Sequence, residues 1–412
     1  MSRKWMSITH MIFVLAFLLT ACGGGAETTT QPPAETPVDT AEVTEVMTEA
    51  PAATEAATEA MTEAPTATEA MTEASAVTET AAVTESTAGT QAPGDATALV
   101  AVRVDEDPTL DGAADDAAWE NAQPATIPVA GGANNGATQV SIRSVYTGDR
   151  VYFLVTWADP SETWLRVPWE KQQDGSWMKL NDPNDRGGDN NQFYEDKISF
   201  IWPIDNSVPG FESTGCFVAC HAGENPEEKP YGNKYLAEEG QLADIWHWKS
   251  VRNLNQVDDQ YLDHTRYSED TPEAGRHSDP NDGGGYVNNE TEDQTNPAFM
   301  PSDGGNKDGS PGYILDEEKV PFDDSQFQAG DRLPGIIKSE IQGDRGQISA
   351  GWTYADGMWT LEFGRDLDTG SEYDVQFDEL GDTYFFAVAT FDNAQVRHGF
   401  QTGATDFTFQ QE

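Results

Sequence analysis

Downstream of residue 98 the chain is written in short runs of alternating apolar and polar residues, broken by Gly- and Asp-rich turns. Val140, Ile142 and Ser144 alternate with Ser141, Arg143 and Val145. After the turn Thr147-Gly148-Asp149-Arg150, Val151, Phe153, Val155 and Trp157 alternate with Tyr152, Leu154 and Thr156. A period of two is the signature of a strand, and apolar residues on both faces place this hairpin inside a layered β-structure. Lys197–Trp202 reads as a further strand, with Ile198, Phe200 and Trp202 on one face. Gln347–Tyr354 and Met358–Phe363 flank Asp356-Gly357, a dipeptide that accepts the positive φ of a tight hairpin. Tyr384–Phe391 is apolar throughout and reads as a central strand. The one helical signal is short, Asp115 to Asn121, with Trp119 facing inward. The pattern predicts a mainly β fold, an antiparallel β-sandwich.

Between about residues 203 and 335 the period weakens and Gly, Asp, Asn and Pro dominate. A loop region this long inside a compact domain is usually functional, so it reads as an insertion between strands. Ala243–Ser250 stands out within it. In an extended chain Trp246 and Trp248 share one face while His247 and Lys249 share the other. Two readings fit. The strand packs both indoles in the core and turns His247 and Lys249 to solvent, or it lines a cofactor pocket that the indoles cover.

The chemistry-bearing stretch is Gly215-Cys216-Phe217-Val218-Ala219-Cys220-His221, which holds two of the three cysteines. It reads Cys-x3-Cys-His, one residue longer than the Cys-x2-Cys-His of covalent haem attachment. Two thiols add to the haem vinyl groups and the adjacent imidazole reaches the iron. The expectation is one covalent haem c on Cys216 and Cys220, with His221 as axial ligand. A Cys216–Cys220 disulfide, or a zinc site completed by other side chains, are the alternatives. For the second iron face Met300, on the Pro-bracketed stretch Asn296–Pro301, ranks first, because a thioether opposite imidazole raises the reduction potential. His247, His277, His264 and Lys249 are its rivals. His398 reads as a surface or core histidine.

The N-terminus adds a compartment. Arg3 and Lys4 precede the apolar run Ile12–Leu19, which is short for a membrane span and suits a signal peptide. It ends in Leu19-Thr20-Ala21-Cys22, which resembles the lipobox of bacterial lipoproteins. The expectation is a signal peptide over 1–21, lipidation of Cys22, and an extracytoplasmic protein held to the membrane by that lipid. Residues 22–97 carry Thr-Glu-Ala units interrupted by prolines, with neither a Lys or Arg nor an aromatic residue. Such a segment cannot bury a core and is self-repelling, so it reads as a disordered tether for a folded head over 98–412.

Composition narrows the partners. The 412 residues carry a formal net charge of −49. That surface excludes nucleic acid and favours basic partners or cations. Acidic loops at Asp182–Asp185 with Asp189, at Asp279–Asp282, and at Asp303 with Asp308 offer oxygen donors for calcium. None has the spacing of a twelve-residue calcium loop, and turn chemistry accounts for them better. No nucleophile triad or phosphate loop is present, so the reading is an electron-transfer protein and not an enzyme.

Three blocks carry a family resemblance: Pro108-Thr-Leu-Asp-Gly112 with Asp116-Ala-Ala-Trp119, Val151–Asp159, and Asp244-Ile-Trp-His-Trp-Lys249. Together they resemble the haem-binding domain of the ethylbenzene dehydrogenase and dimethyl sulfide dehydrogenase γ-subunits, grouped with cytochrome c-552-like proteins. The resemblance implies a β-sandwich that holds haem and passes electrons from the iron–sulfur chain of a molybdenum oxidoreductase. In the γ-subunits a non-covalent haem lies between Met and Lys. This chain departs by carrying Cys216, Cys220 and His221, as the c-type branch does, which leaves Lys249 as a candidate for the second face only. The opening and strand pattern is also similar to family 9 carbohydrate-binding modules. That implies a rival function, an exported sugar-binding lipoprotein with Trp164, Trp169 and Trp177 stacking on a glycan.

Overall fold

The computed structural model describes residues 98–134, 136–184, 192–220 and 234–411. These belong to one compact unit, Ser86–Glu412. The expected signal peptide, the lipidation of Cys22, the tether and the axial ligand His221 all lie outside the described residues.

Thirteen strands join in one hydrogen-bonded sheet, folded so that two halves face each other across a core. One half runs through Arg276–Ser278, Asp258–Leu262, Ala243–Lys249, Lys197–Pro203 and Tyr384–Phe391. The other runs through Thr138–Tyr146, Arg150–Ala158, Met358–Asp366 and Ser349–Ala355. Every neighbouring pair within each half is antiparallel. The halves are joined at both ends. Gly399–Gln401 and Ala125–Ala130 bridge one end; Thr405–Phe409 and Ala98–Arg103 bridge the other, where the pairing turns parallel. The molecule is therefore a mainly antiparallel β-sandwich, as the alternating pattern predicts.

Aromatic rings fill the space between the halves. Phe153 lies 5.5 Å from Trp246 and Trp157 lies 5.7 Å from Trp248, ring centre to ring centre. Phe200, Trp202, Phe363, Phe377 and Phe407 complete this buried cluster. Large flat rings that meet edge to face bury much surface per residue and hold the two layers in register. The Asp356-Gly357 turn forms as expected, with φ of 53° and 76°. The helical signal near Trp119 is realised as one 3-10 turn, Ala117–Trp119, with the indole buried against Val145, Tyr152 and Leu154.

The structure corrects the extent of the insertion. Ala243–Lys249, Asp258–Leu262 and Arg276–Ser278 lie within 203–335 yet are paired members of the main sheet. Their polar residues hid them. They point to polar interior spaces and so break the expected alternation. The stretch from about 283 to 335 contributes to small separate sheets instead, pairing Gly283–Asn288 with Ile336–Gln342, Phe299–Pro301 with Lys319–Pro321, and Arg332–Leu333 with Trp169–Lys171.

Candidate functional site

The half-sheet that backs the aromatic core carries a cavity on its other face. Strand alternation sends Trp246 and Trp248 into the core and His247 and Lys249 the opposite way. Register then builds the cavity floor in rows across three strands. Ile245 stands opposite Ile201, His247 opposite Ser199, and Lys249 opposite Lys197. Along Tyr384–Phe391 the same rows continue with Ala387, Ala389 and Phe391. Small residues at Ser199, Ala387 and Ala389 leave a depression, and the longer side chains to either side wall it. The space is about 200 Å³.

Cys216 and Cys220 both line this cavity. They are delivered by a short helix, Phe211–Thr214, and a 3-10 turn, Gly215–Val218. Phe211 and Cys216 pack with Ile201, Ile245, Leu262 and Ala387, which presses the segment onto the sheet. Gly215 makes the close approach possible. Its φ is +62°, and a Cβ there would lie 2.0 Å from the Gly403 carbonyl oxygen. Both cysteines are free thiols, so the disulfide alternative is not realised. Burial pushes the Cys216 thiol up to about 11 and the Cys220 thiol up to about 12, the nearby Cys216 adding to the latter. Neither is a thiolate near neutral pH.

His247 is buried among these groups, and its Nε2 has no hydrogen-bond partner among the described residues. Its ring stacks on Phe391, 5.5 Å away. Burial holds the imidazole well below its ordinary range, and the charges of Lys249 and Lys197 push the same way. It is therefore neutral at physiological pH, with a lone pair available to a metal. An unpaired buried polar nitrogen costs free energy, and His247 is among the residues that line the cavity.

Positive charge gathers around the same space. Lys197, Lys234, Lys249, Arg252 and Arg276 all line the cavity, in a chain with only 23 Lys and Arg. Lys249 is tied by its ammonium to Asp258 and to the Tyr286 hydroxyl, 3.2 Å away. Arg252 is held by Glu195. Lys197 is different: its ammonium donates to the Gln395 carbonyl at 2.9 Å and lies 4.0 Å from the centre of the Phe391 ring. Burial, with Arg252 nearby, holds it well below the usual lysine range. Lys197 and Lys249 are cross-strand neighbours. The Lys249 charge pushes Lys197 the same way, and an anion in the cavity would favour the charged form of Lys197.

Other expected site residues sit elsewhere. Met300 is buried in a satellite cluster with Trp169, Trp177, Phe327 and Leu333, and does not line the cavity. Its expected place as second iron ligand is corrected accordingly; a methionine in an apolar stretch is filling a core, which is the commoner use. Trp246 and Trp248 back the cavity strand from the core side and do not cover a ligand in the cavity. His277 stacks on Tyr261 and contacts Asp263, and His264 is exposed. His398, read from the sequence as a bystander, lines the cavity. Sequence spacing held no signal for it. The strand Gly399–Gln401 brings it in by pairing with Thr390 and Ala389.

One outer face of the β-sandwich thus gathers two thiols, an unpaired imidazole and several cationic side chains around a single cavity. The chain belongs to the ethylbenzene dehydrogenase family, whose model matches residues 116–403. None of the curated proteins matches it. Among solved structures it is similar to a family 9 carbohydrate-binding module from Caldicellulosiruptor kristjanssonii in complex with glucose. That match is at 9% identity, covering 76% of this chain and 95% of that one, with a TM-score of 0.28. A Bacteroides uniformis protein proposed to bind carbohydrate matches at 9% identity over 76% of this chain and 99% of that one, with a TM-score of 0.31.

Proposed function

We propose that this protein is an exported, membrane-anchored haem protein that relays single electrons, as a partner or subunit of a molybdenum-type respiratory oxidoreductase. The observation that carries the reading is the convergence of Cys216, Cys220 and the unpaired Nε2 of His247 on one cavity. The donor set fits a haem. Two thiols suit covalent attachment, a neutral imidazole suits iron, and the cationic row of Lys197, Lys249 and Arg252 suits the haem carboxylates. The apolar walls from Ile201, Ile245, Leu262 and Phe391 suit a flat macrocycle.

Haem supplies a one-electron couple when bound. The chain's own residues do the rest. Cys216 and Cys220 would hold it through thioether bonds, with His221 as the expected first axial ligand. His247, its ring steadied by Phe391, would offer Nε2 for the second face. Lys249, buried in the cavity floor and anchored by Asp258, would place a positive charge beside the bound group, which favours its reduced state. The Trp246–Trp248 layer behind the strand keeps the site stiff, so little reorganisation accompanies electron transfer. Lipidation at Cys22 would keep the head beside the membrane that houses its partners.

The test is a haem-stained denaturing gel of protein matured with a haem-attachment system. A stained band that disappears in a Cys216→Ser, Cys220→Ser double variant supports covalent haem. A colourless wild-type protein that binds cellotriose would overturn the reading in favour of glycan binding. Of the three tryptophans read for that alternative, Trp169 and Trp177 are buried and Trp164 is half-buried, so Trp164 is the one left to stack on a glycan.

A further inference from the structure

A second polar centre lies on the core side of the same strands. Asp244, Asp259, Asp279 and Asp374 are 0%, 0%, 3% and 1% exposed. One ligand oxygen each from Asp244, Asp259 and Asp374 lies within 4.8 Å of the other two. Asp279 joins them by its side chain, which lies against the Asp374 carboxyl, and its backbone N–H donates to the Asp259 carbonyl at 3.2 Å.

The hydrogen bonds divide each carboxylate in two. Asp244 Oδ2 accepts from Trp246 Nε1 at 2.9 Å, the Val375 N–H at 3.0 Å and Arg365 at 3.1 Å, while its Oδ1 has no partner. Asp374 Oδ2 accepts from the Thr369 hydroxyl, and its Oδ1 has none. Asp259 Oδ1 accepts from the Gln260 N–H, and its Oδ2 has none. Both oxygens of Asp279 are unpartnered. Five buried carboxylate oxygens thus lack a hydrogen bond. Arg365 is the cation hydrogen-bonded to the group. Buried charges are paired or coordinate metals, and oxygen-only donors select a hard cation.

We propose that Asp244, Asp259, Asp279 and Asp374 form a structural divalent-cation site of the calcium class. The site ties Ala243–Lys249 and Asp258–Leu262 to the segment that carries Tyr373 and Asp374. It lies behind the strands that present His247 and Gln260 to the cavity, and so stiffens the cavity floor. The other buried acidic group, Asp159, Asp196 and Asp392, does not share its character. Both Asp196 oxygens there accept backbone N–H groups, from Thr163 at 2.8 Å and Asn393 at 2.9 Å.

The experiment uses the full chain. Metal analysis after gel filtration in calcium-free buffer is expected to find calcium retained, and EDTA is expected to lower the melting temperature by about 5 °C, reversed by added Ca²⁺. Tb³⁺ in place of Ca²⁺ is expected to show emission sensitised by Trp246, whose indole bonds Asp244 directly, and to be displaced by Ca²⁺. Asp279→Asn keeps the shape and one oxygen of the side chain while removing its charge, and is expected to weaken Ca²⁺ binding about tenfold or more. The site is overturned if no metal is retained, the melting temperature ignores Ca²⁺ and EDTA, and Tb³⁺ emission is not sensitised. It is also overturned if Asp279→Asn leaves the affinity unchanged. The terbium measurement on the unaltered chain decides the matter should the variant fail to fold.

Discussion

His247 and Met300 were rivals in the sequence, and their surroundings now separate them. His247 offers an unpaired nitrogen to the cavity, whereas Met300 is packed among aromatic rings away from it. In haem-loaded protein, His247→Ala is expected to shift the Soret band and the reduction potential, while Met300→Leu leaves both unchanged. An altered spectrum in the Met300 variant alone would reverse that assignment. Asp159 gives a pH signature. Burial and the Asp392 carboxylate push its carboxyl up to about 7. The folded chain therefore holds a proton there that the unfolded chain, with an ordinary carboxylate near 3.8, releases. The associated stability is complete below about pH 4 and is lost as pH rises towards 7. Asp159→Asn keeps an acceptor for the Ser161 N–H and is expected to remove that slope, raising the melting temperature at pH 8 relative to wild type. Parallel pH–stability curves for the two proteins would refute it.

The strand Ala243–Lys249 works on two sides at once. Its even-numbered residues belong to the aromatic core and to the acidic cluster, and its odd-numbered residues line the cavity. A register slip of one residue would exchange these faces, so the pairing with Lys197–Pro203 is strongly specified. The Phe211–Val218 segment is seated by the packing of Phe211 and Cys216 and by one close backbone approach. Gly215 sits at positive φ against the Gly403 carbonyl, and Gly215→Ala is expected to cost about 1–3 kcal/mol from backbone strain alone. Because the same contact aims Cys216, haem yield on the stained gel should fall with it. Full yield and an unchanged denaturation midpoint would show that the segment can be seated another way.

Charge governs the chain as a partner. The chain carries a formal net charge of −49, while Lys197, Lys234, Lys249, Arg252 and Arg276 line the cavity. On the proposed reading, the acidic chain would attract a basic redox protein over a range set by the ionic atmosphere. Reduction of a basic acceptor by the haem-loaded protein is expected to slow several-fold between about 10 mM and 150 mM salt, as the Debye length falls from roughly 30 Å to 8 Å. Stopped-flow rates independent of salt would argue for an uncharged docking face.

The sandwich was legible in residues such as Val151–Trp157 and Met358–Phe363, because strands packed between apolar layers are written as local runs of β-branched and aromatic residues bounded by turns. The Cys216–Cys220 pair and the paired faces of Ala243–Lys249 were legible for the same reason: they are local. Three things were not local. His398 joins the cavity through a neighbouring strand, Lys197 meets Lys249 only by register, and Asp244, Asp259, Asp279 and Asp374 come together from segments far apart. In a chain with 72 acidic residues no composition rule could single out those four. Packing chose them, because only the folded chain withdraws their oxygens from water and leaves them facing one another.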